Sequence, residues 1–160
     1  MGNQRGKTVF YKRSHFVTHL PVNAVYSPSH SWLLRDEAGV CRIGLTKFAT
    51  RMLGEMVDHK FEVSPEASVG VGQIIGWVEG FKAISDIYAI ASGAFLRSNP
   101  ALQEEISLVS DDPYGDGWLY EVRGEASERC LDVDAYSGVL SATIDKILEE
   151  QQTEGNKWGT

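Results

Sequence analysis

The sequence predicts a mainly β domain, a flattened barrel or sandwich of short antiparallel strands with helices packed outside it. Two observations predict this. Runs rich in Ile, Val and aromatic residues, such as Gln73 to Val78 and Ile84 to Ile90, recur at short intervals between turn-forming Gly, Pro and Asp. Amphipathic helical spacing is largely confined to residues 47–53 and 132–149. At 160 residues, with 42% hydrophobic and 23% charged side chains, the chain is one domain long and globular in composition. No apolar run approaches the roughly eighteen residues of a membrane span.

Residues 1–24 form an N-terminal extension in which no element can be placed. It has no acidic residue and carries Arg5, Lys7, Lys12 and Arg13, which also suits an organelle transit peptide. Its Phe10, Tyr11, Phe16, Val17 and Leu20 suit a docked or frayed arm better than an amphipathic presequence. The expected location is the cytoplasm, or the mitochondrial matrix if the leader is a transit peptide. Met1-Gly2 opens as a myristoylation signal would, but Gly6 stands where Ser or Thr is needed.

The next elements are a strand within Val25 to Leu34, a turn at Asp36-Glu37-Ala38-Gly39 and a strand from Val40 to Leu45, making a hairpin. Thr46 is an N-cap for a helix over 47–53, whose Phe48/Met52 and Ala49/Leu53 pairs predict an apolar face and whose stop is Gly54. Val69-Gly70-Val71-Gly72 leads into a second hairpin that bends at Gly80 to Ala83 and lifts Lys82 to its tip. Ala91 to Leu96 adds a turn and a strand. Asn99-Pro100 is a cap and first residue for a short helix from Ala101 to Glu105, with its acids in the first turns. The stretch Asp111 to Leu119, with Pro113, Gly115 and Gly117, is a turn that delivers Trp118 and Leu119 into a last strand. Val133, Tyr136, Leu140, Ile144 and Ile147 then define an amphipathic helix over 132–149, capped near Asp132. Gly138 inside it suggests a close contact, and residues 151–160 suggest a frayed polar tail.

Five of the 15 basic residues precede Asp36, the first acid, leaving 10 basic against 22 acidic side chains in residues 36–160, a net of −12. Such a body disfavours nucleic acid and favours partners with basic docking surfaces. Cys41 and Cys130 lack CxxC spacing and read as reduced, packed thiols. His15, His19, His30 and His59 lack a ligand context, so no metal is expected. No Ser-His-Asp, Cys-His or paired-carboxylate pattern stands out, and Gly70-Val71-Gly72 lacks the rest of a phosphate loop. An exposed hairpin lysine is a poor catalyst and is usually a solvated surface residue, but it is a good attachment point. Trp32 and Trp118 read as core aromatics.

Val78, Glu79, Lys82, Ala83, Ser85 and Asp86 match the Val-Glu-Ser-Val-Lys-Ala motif, with Ser-Asp close behind, of the glycine cleavage system H proteins. Asp112-Pro113-Tyr114-Gly115 through Trp118, the helix at 47–53 and the C-terminal helix follow in that family's order, so residues 25–150 resemble an H-protein domain. The resemblance implies the barrel-sandwich hybrid of lipoyl/biotinyl carriers and a monomer without catalytic residues. It also implies lipoic acid on Lys82, with Glu79, Gly80, Ala83, Ser85, Asp86 and Gly93 serving ligase or cleft recognition; Glu79 reads equally as a solvated hairpin carboxylate, and Ser85 and Asp86 as hydrogen-bonding groups of the turn. The implied partners are glycine decarboxylase (P protein), aminomethyltransferase (T protein), dihydrolipoyl dehydrogenase (L protein) and a lipoate ligase or lipoyltransferase, with no nucleic acid or membrane partner. The chain departs from the family at Ser29 and Ser31, which replace the two acids of a Glu-His-Glu-Trp-Val run, at Trp77, Gly80 and Phe81, and over Asp58 to Ser64. These departures keep open an H-like paralogue serving sulfur oxidation or lipoyl relay, and an unmodified binding module. Biotin carriers, which place methionines where Phe81 and Ala83 stand, and 2-oxoacid dehydrogenase lipoyl domains, with Asp before the lysine, fit less well.

Overall fold

Alternating side chains fold most of the N-terminal extension into a hairpin, β1 (Thr8–Arg13) and β2 (Phe16–Pro21), in the computed structural model, which describes residues 6–158. Tyr11, Phe16, Thr18 and Leu20 are buried while Phe10, Val17 and His19 point outward, the period-two pattern of a ribbon with one apolar face. Residues 8–21 are thus extended and docked, without the amphipathic helix of a presequence. Met1, Gly2 and Arg5 lie outside the described residues.

The body contains nine further strands. They are β3 (Val25–Tyr26), β4 (Ser31–Arg35), β5 (Val40–Leu45), β6 (Met56–Phe61), β7 (Ser68–Val69), β8 (Ile74–Gly80), β9 (Ile84–Tyr88), β10 (Ala91–Ser98) and β11 (Tyr120–Ala126). One antiparallel sheet runs β3-β4-β5-β11-β10-β7 and the other β6-β8-β9. Both sheets feed one core: Ile43, Phe95 and Val122 from the first meet Ile75, Val78 and Ile87 from the second. This is the mainly β sandwich the strand spacing predicts. In β6 the register slips by one between Met56 and Asp58, so the stretch that departs from the family motif begins at a bulge.

Helix α1 (Lys47–Leu53) has the expected cap, with Thr46 Oγ1 accepting the Ala49 N–H at 3.3 Å. Its apolar face is narrower than the i,i+4 pairs suggest, because Phe48 and Leu53 are buried but Met52 is 48% exposed. The helix expected over 101–105 is a 3-10 turn, Pro100–Gln103, capped by Asn99, so Glu104 and Glu105 fall beyond it; a four-residue α2 (Leu108–Asp111) follows. Trp118 and Leu119 immediately precede β11 rather than belonging to it. Trp118 is nevertheless buried, with the Arg42 and Arg97 guanidinium groups 4.4 and 5.2 Å from its ring, and both arginines pair with Glu121.

Helix α3 (Val133–Trp158) begins where Asp132 accepts the Ala135 N–H at 2.8 Å, and it continues well past residue 149. Residues 151–158 are therefore helical, which corrects the expectation of a frayed tail; residues 159–160 lie outside the described residues. Charged and polar side chains cannot by themselves end a helix, and no Pro or capping Gly interrupts this one before 155. Tyr136, Leu140 and Ile144 form a second core with Tyr11, Phe16, Leu20, Tyr26, Trp32 and Phe48. Gly138 makes no close contact: it is exposed, and a Cβ there would meet nothing within 4 Å. Gly138→Ala is therefore expected to raise the unfolding free energy by about 0.5–1 kcal/mol, read from urea denaturation.

Candidate functional site

The last turn of a helix leaves carbonyl oxygens without intrahelical donors, and here the lysine hairpin supplies them. Lys82 N–H donates to Leu53 O at 2.8 Å, and Phe81 N–H donates to Glu55 O just beyond the helix, also at 2.8 Å. Gly80 N–H closes the reversal on Ala83 O at 2.8 Å. Two backbone bonds thus pin the β8–β9 turn onto the end of α1 and the residue just beyond it, and the third closes the turn on itself. Pinning this close requires glycine at 80, because a Cβ there would fall inside the contact radius of the Leu53 carbonyl oxygen. The departure from the family motif at Gly80 has a packing reason that neighbouring residues in sequence do not reveal. Lys82 itself is exposed, and it stands between Phe81 and Ile84, 83% and 67% exposed.

Beside the turn lies a cleft of about 250 Å³ along β9, an edge strand of its sheet. Ser85, Asp86, Ile87 and Tyr88 line one side. His30, Phe48, Ala49, Met52 and Leu53 line the other, with Ser29 and Ser31 also present. The walls are largely apolar with one carboxylate and several hydroxyls, a chemistry suited to an alkyl chain that ends in a polar or cationic group. Ser85 also donates its hydroxyl to the Asp86 carbonyl at 3.0 Å.

The structure does not gather all the residues singled out from sequence. Gly80, Ala83, Ser85 and Asp86 surround Lys82 or its cleft, but Glu79 pairs with Ile84 and Asp58 and does not line the cleft. Trp77 sits half-buried opposite Lys60 and Asp86. Gly93 lies in the other sheet, and it has a backbone reason of its own: its φ of +146° and the close Arg123 carbonyl leave no room for a Cβ. Ser29, Ser31, Phe48, Met52 and Tyr88 were not singled out as cleft residues. Only the i,i+4 spacing of Phe48 and Met52 hinted at a shared face.

His30 anchors the floor. Its φ of +74° turns its backbone so that its carbonyl accepts the Thr46 N–H, while Nδ1 lies 2.7 Å from the Tyr136 hydroxyl. Tyr136 in turn donates to Thr46 Oγ1 at 3.2 Å. Burial holds the imidazole below its ordinary value. A depressed folded pKa contributes stability that is present above the unfolded value of about 6.5 and is lost as pH falls through the folded one. Burial also lowers His59, against the opposing pull of Asp58. Unfolding free energy is expected to drop as pH is lowered from about 7.5 to 5, and less steeply in His30→Gln.

Two other features lie apart from the lysine. Burial pushes the free Cys41 and Cys130 thiols up, which disfavours the reactive thiolate. A larger cavity of about 460 Å³ lies between the β1–β2 hairpin and residues 111–116, and the lysine turn contributes nothing to it.

Two short sheets sharing a core, with a lysine held out on a hairpin tip, make up the architecture of small β carrier domains. The glycine cleavage H-protein family model matches residues 24–140, and the chain belongs to that family of lipoyl carriers. It is 38% identical over 125 residues to a glycine cleavage system H protein of Corynebacterium jeikeium, covering 75% of this chain and 96% of that one. It is 36% identical over 134 residues to that of Chromohalobacter salexigens, covering 81% and 100%. The crystal structure of a glycine cleavage system H protein from Mycobacterium marinum superposes with a TM-score of 0.68 at 31% identity, over 74% of this chain and 97% of that one. Among the described residues no helix is long and apolar enough to cross a membrane.

Proposed function

We propose that Lys82 carries lipoic acid in amide linkage and that this chain shuttles an aminomethyl group and electrons between the enzymes of glycine cleavage. The observation that carries this reading is the pinned, exposed Lys82 turn beside a cleft of matching chemistry. The lipoyl group would supply the redox-active dithiolane that accepts and releases the cargo. The chain's own part is to present the amine to a lipoate ligase or lipoyltransferase, then to hold and release the loaded side chain. Phe48, Met52 and Leu53 would cover its apolar length, and Asp86 with Ser29 and Ser31 would face a cationic end. Tethering makes the cargo a local reactant at each docking with a pyridoxal-phosphate decarboxylase, a folate-dependent aminomethyltransferase and a flavin dihydrolipoyl dehydrogenase. Exposed Phe81 and Ile84 would meet these partners in the cytoplasm. The test is intact mass of the protein purified from its lipoate-replete native host, with the adduct mapped to Lys82. Unmodified Lys82 there would leave only a binding module on the same scaffold.

A further inference from the structure

The family model begins at residue 24, after the β1–β2 hairpin, yet the hairpin is built into the domain. Arg13 makes two hydrogen bonds to Asp145 on α3, at 3.0 and 2.6 Å, and the Tyr11 hydroxyl lies 2.8 Å from Ser141 Oγ. Opposite Arg13 in the hairpin register, Phe16, 8% exposed, meets Phe48 edge to face, with ring centroids 5.6 Å apart at 88°. Phe48 lines the cleft beside Lys82 and lies 4.7 Å from the His30 ring. Phe48 thus touches both the cleft and the hairpin. Packed rings resist displacement because a void behind one forfeits contacts nothing else replaces.

We propose that the β1–β2 hairpin is a positioning element for the lipoyl side chain: Phe16 holds Phe48 as a rigid cleft wall and so sets how long the cleft shelters what Lys82 carries. Phe16 acts through Phe48 and needs no contact with the lipoyl group. The proposal rests on the carrier reading above. Lipoylation itself is independent of it, since the Lys82 turn is held by Leu53 and Glu55 rather than by the hairpin.

The test uses lipoylated full-length protein, reduced and treated with iodoacetamide, with alkylation of the Lys82-linked thiols followed by mass spectrometry. A lipoyl-lysine peptide of the same turn serves as the unsheltered reference. Wild type is expected to react more slowly than the peptide, and Phe16→Ala at least about threefold faster than wild type, with Phe16→Leu between them. Phe10→Ala, on the outward face, should match wild type, and Val122→Ala, which weakens the other core, should react more slowly than Phe16→Ala. Equal rates for wild type and Phe16→Ala overturn the proposal. So do equal rates for wild type and peptide, or a Val122→Ala rate as high as that of Phe16→Ala, which would mean general loosening. If Phe16→Ala does not fold, Phe16→Leu decides, and a wild-type rate in that variant overturns the proposal. Absence of a lipoyl mass on wild type, seen before any alkylation, would mark failure of the carrier reading instead.

Discussion

Lys82→Arg is expected to fold and melt like the wild type while carrying no lipoyl group and supporting no turnover. Its backbone bond to Leu53 O does not involve the side chain, and the side chain is exposed, so a change in unfolding free energy within about 0.5 kcal/mol is expected. Arginine keeps the positive charge, but its guanidinium does not take the lipoyl amide, so the substitution separates charge from attachment. Intact mass before and after incubation with a lipoate ligase, with reductive turnover by a dihydrolipoyl dehydrogenase, reads both consequences. A lipoyl adduct on the variant would place the attachment elsewhere. A large drop in melting temperature would mean that the amine has a structural role the exposed turn does not show.

Leu140→Ala is expected to cost about 2–5 kcal/mol of stability, the range for emptying a fully enclosed leucine site. Leu140 is 0% exposed and lies in the core shared by α3, the β1–β2 hairpin and Phe48. Urea denaturation should show a lower midpoint with an unchanged slope. A loss below about 0.5 kcal/mol would mean that α3 is not seated as described. Tyr136, one turn earlier and also 0% exposed, holds the His30 ring, so a loosened α3 should in addition soften the pH dependence assigned to His30.

Local signals carried most of the fold. Thr46 and Gly54 bracket α1 because capping is a property of a few adjacent residues, and β8 and β9 are legible because their residues and the Gly80 to Ala83 turn lie in one short stretch. The β1–β2 hairpin was missed because a Ser14-His15 reversal is a weak turn signal and its apolar face is stabilised by α3, more than a hundred residues away. The 3-10 turn at Pro100–Gln103 and the helical 151–158 were misread at their ends, where local preference for one ending over another is small.

By itself the sequence determined that Lys82 stands on a hairpin tip in an acidic, mainly β domain, and that the motif around it resembles the H proteins. Periodicity, turn chemistry and capping act over a few residues and can be read along the chain. Tertiary structure alone decided that α1 pins the turn, that Gly80 is required by a carbonyl from residue 53, and that Phe48 and His30 wall a cleft with Ser85 and Asp86. It likewise decided that Gly138 faces open space and that Gly93 answers to Arg123. Each of these depends on the distance between groups far apart in sequence, which is set by packing two sheets and a helix into one volume and leaves no mark on the neighbouring residues.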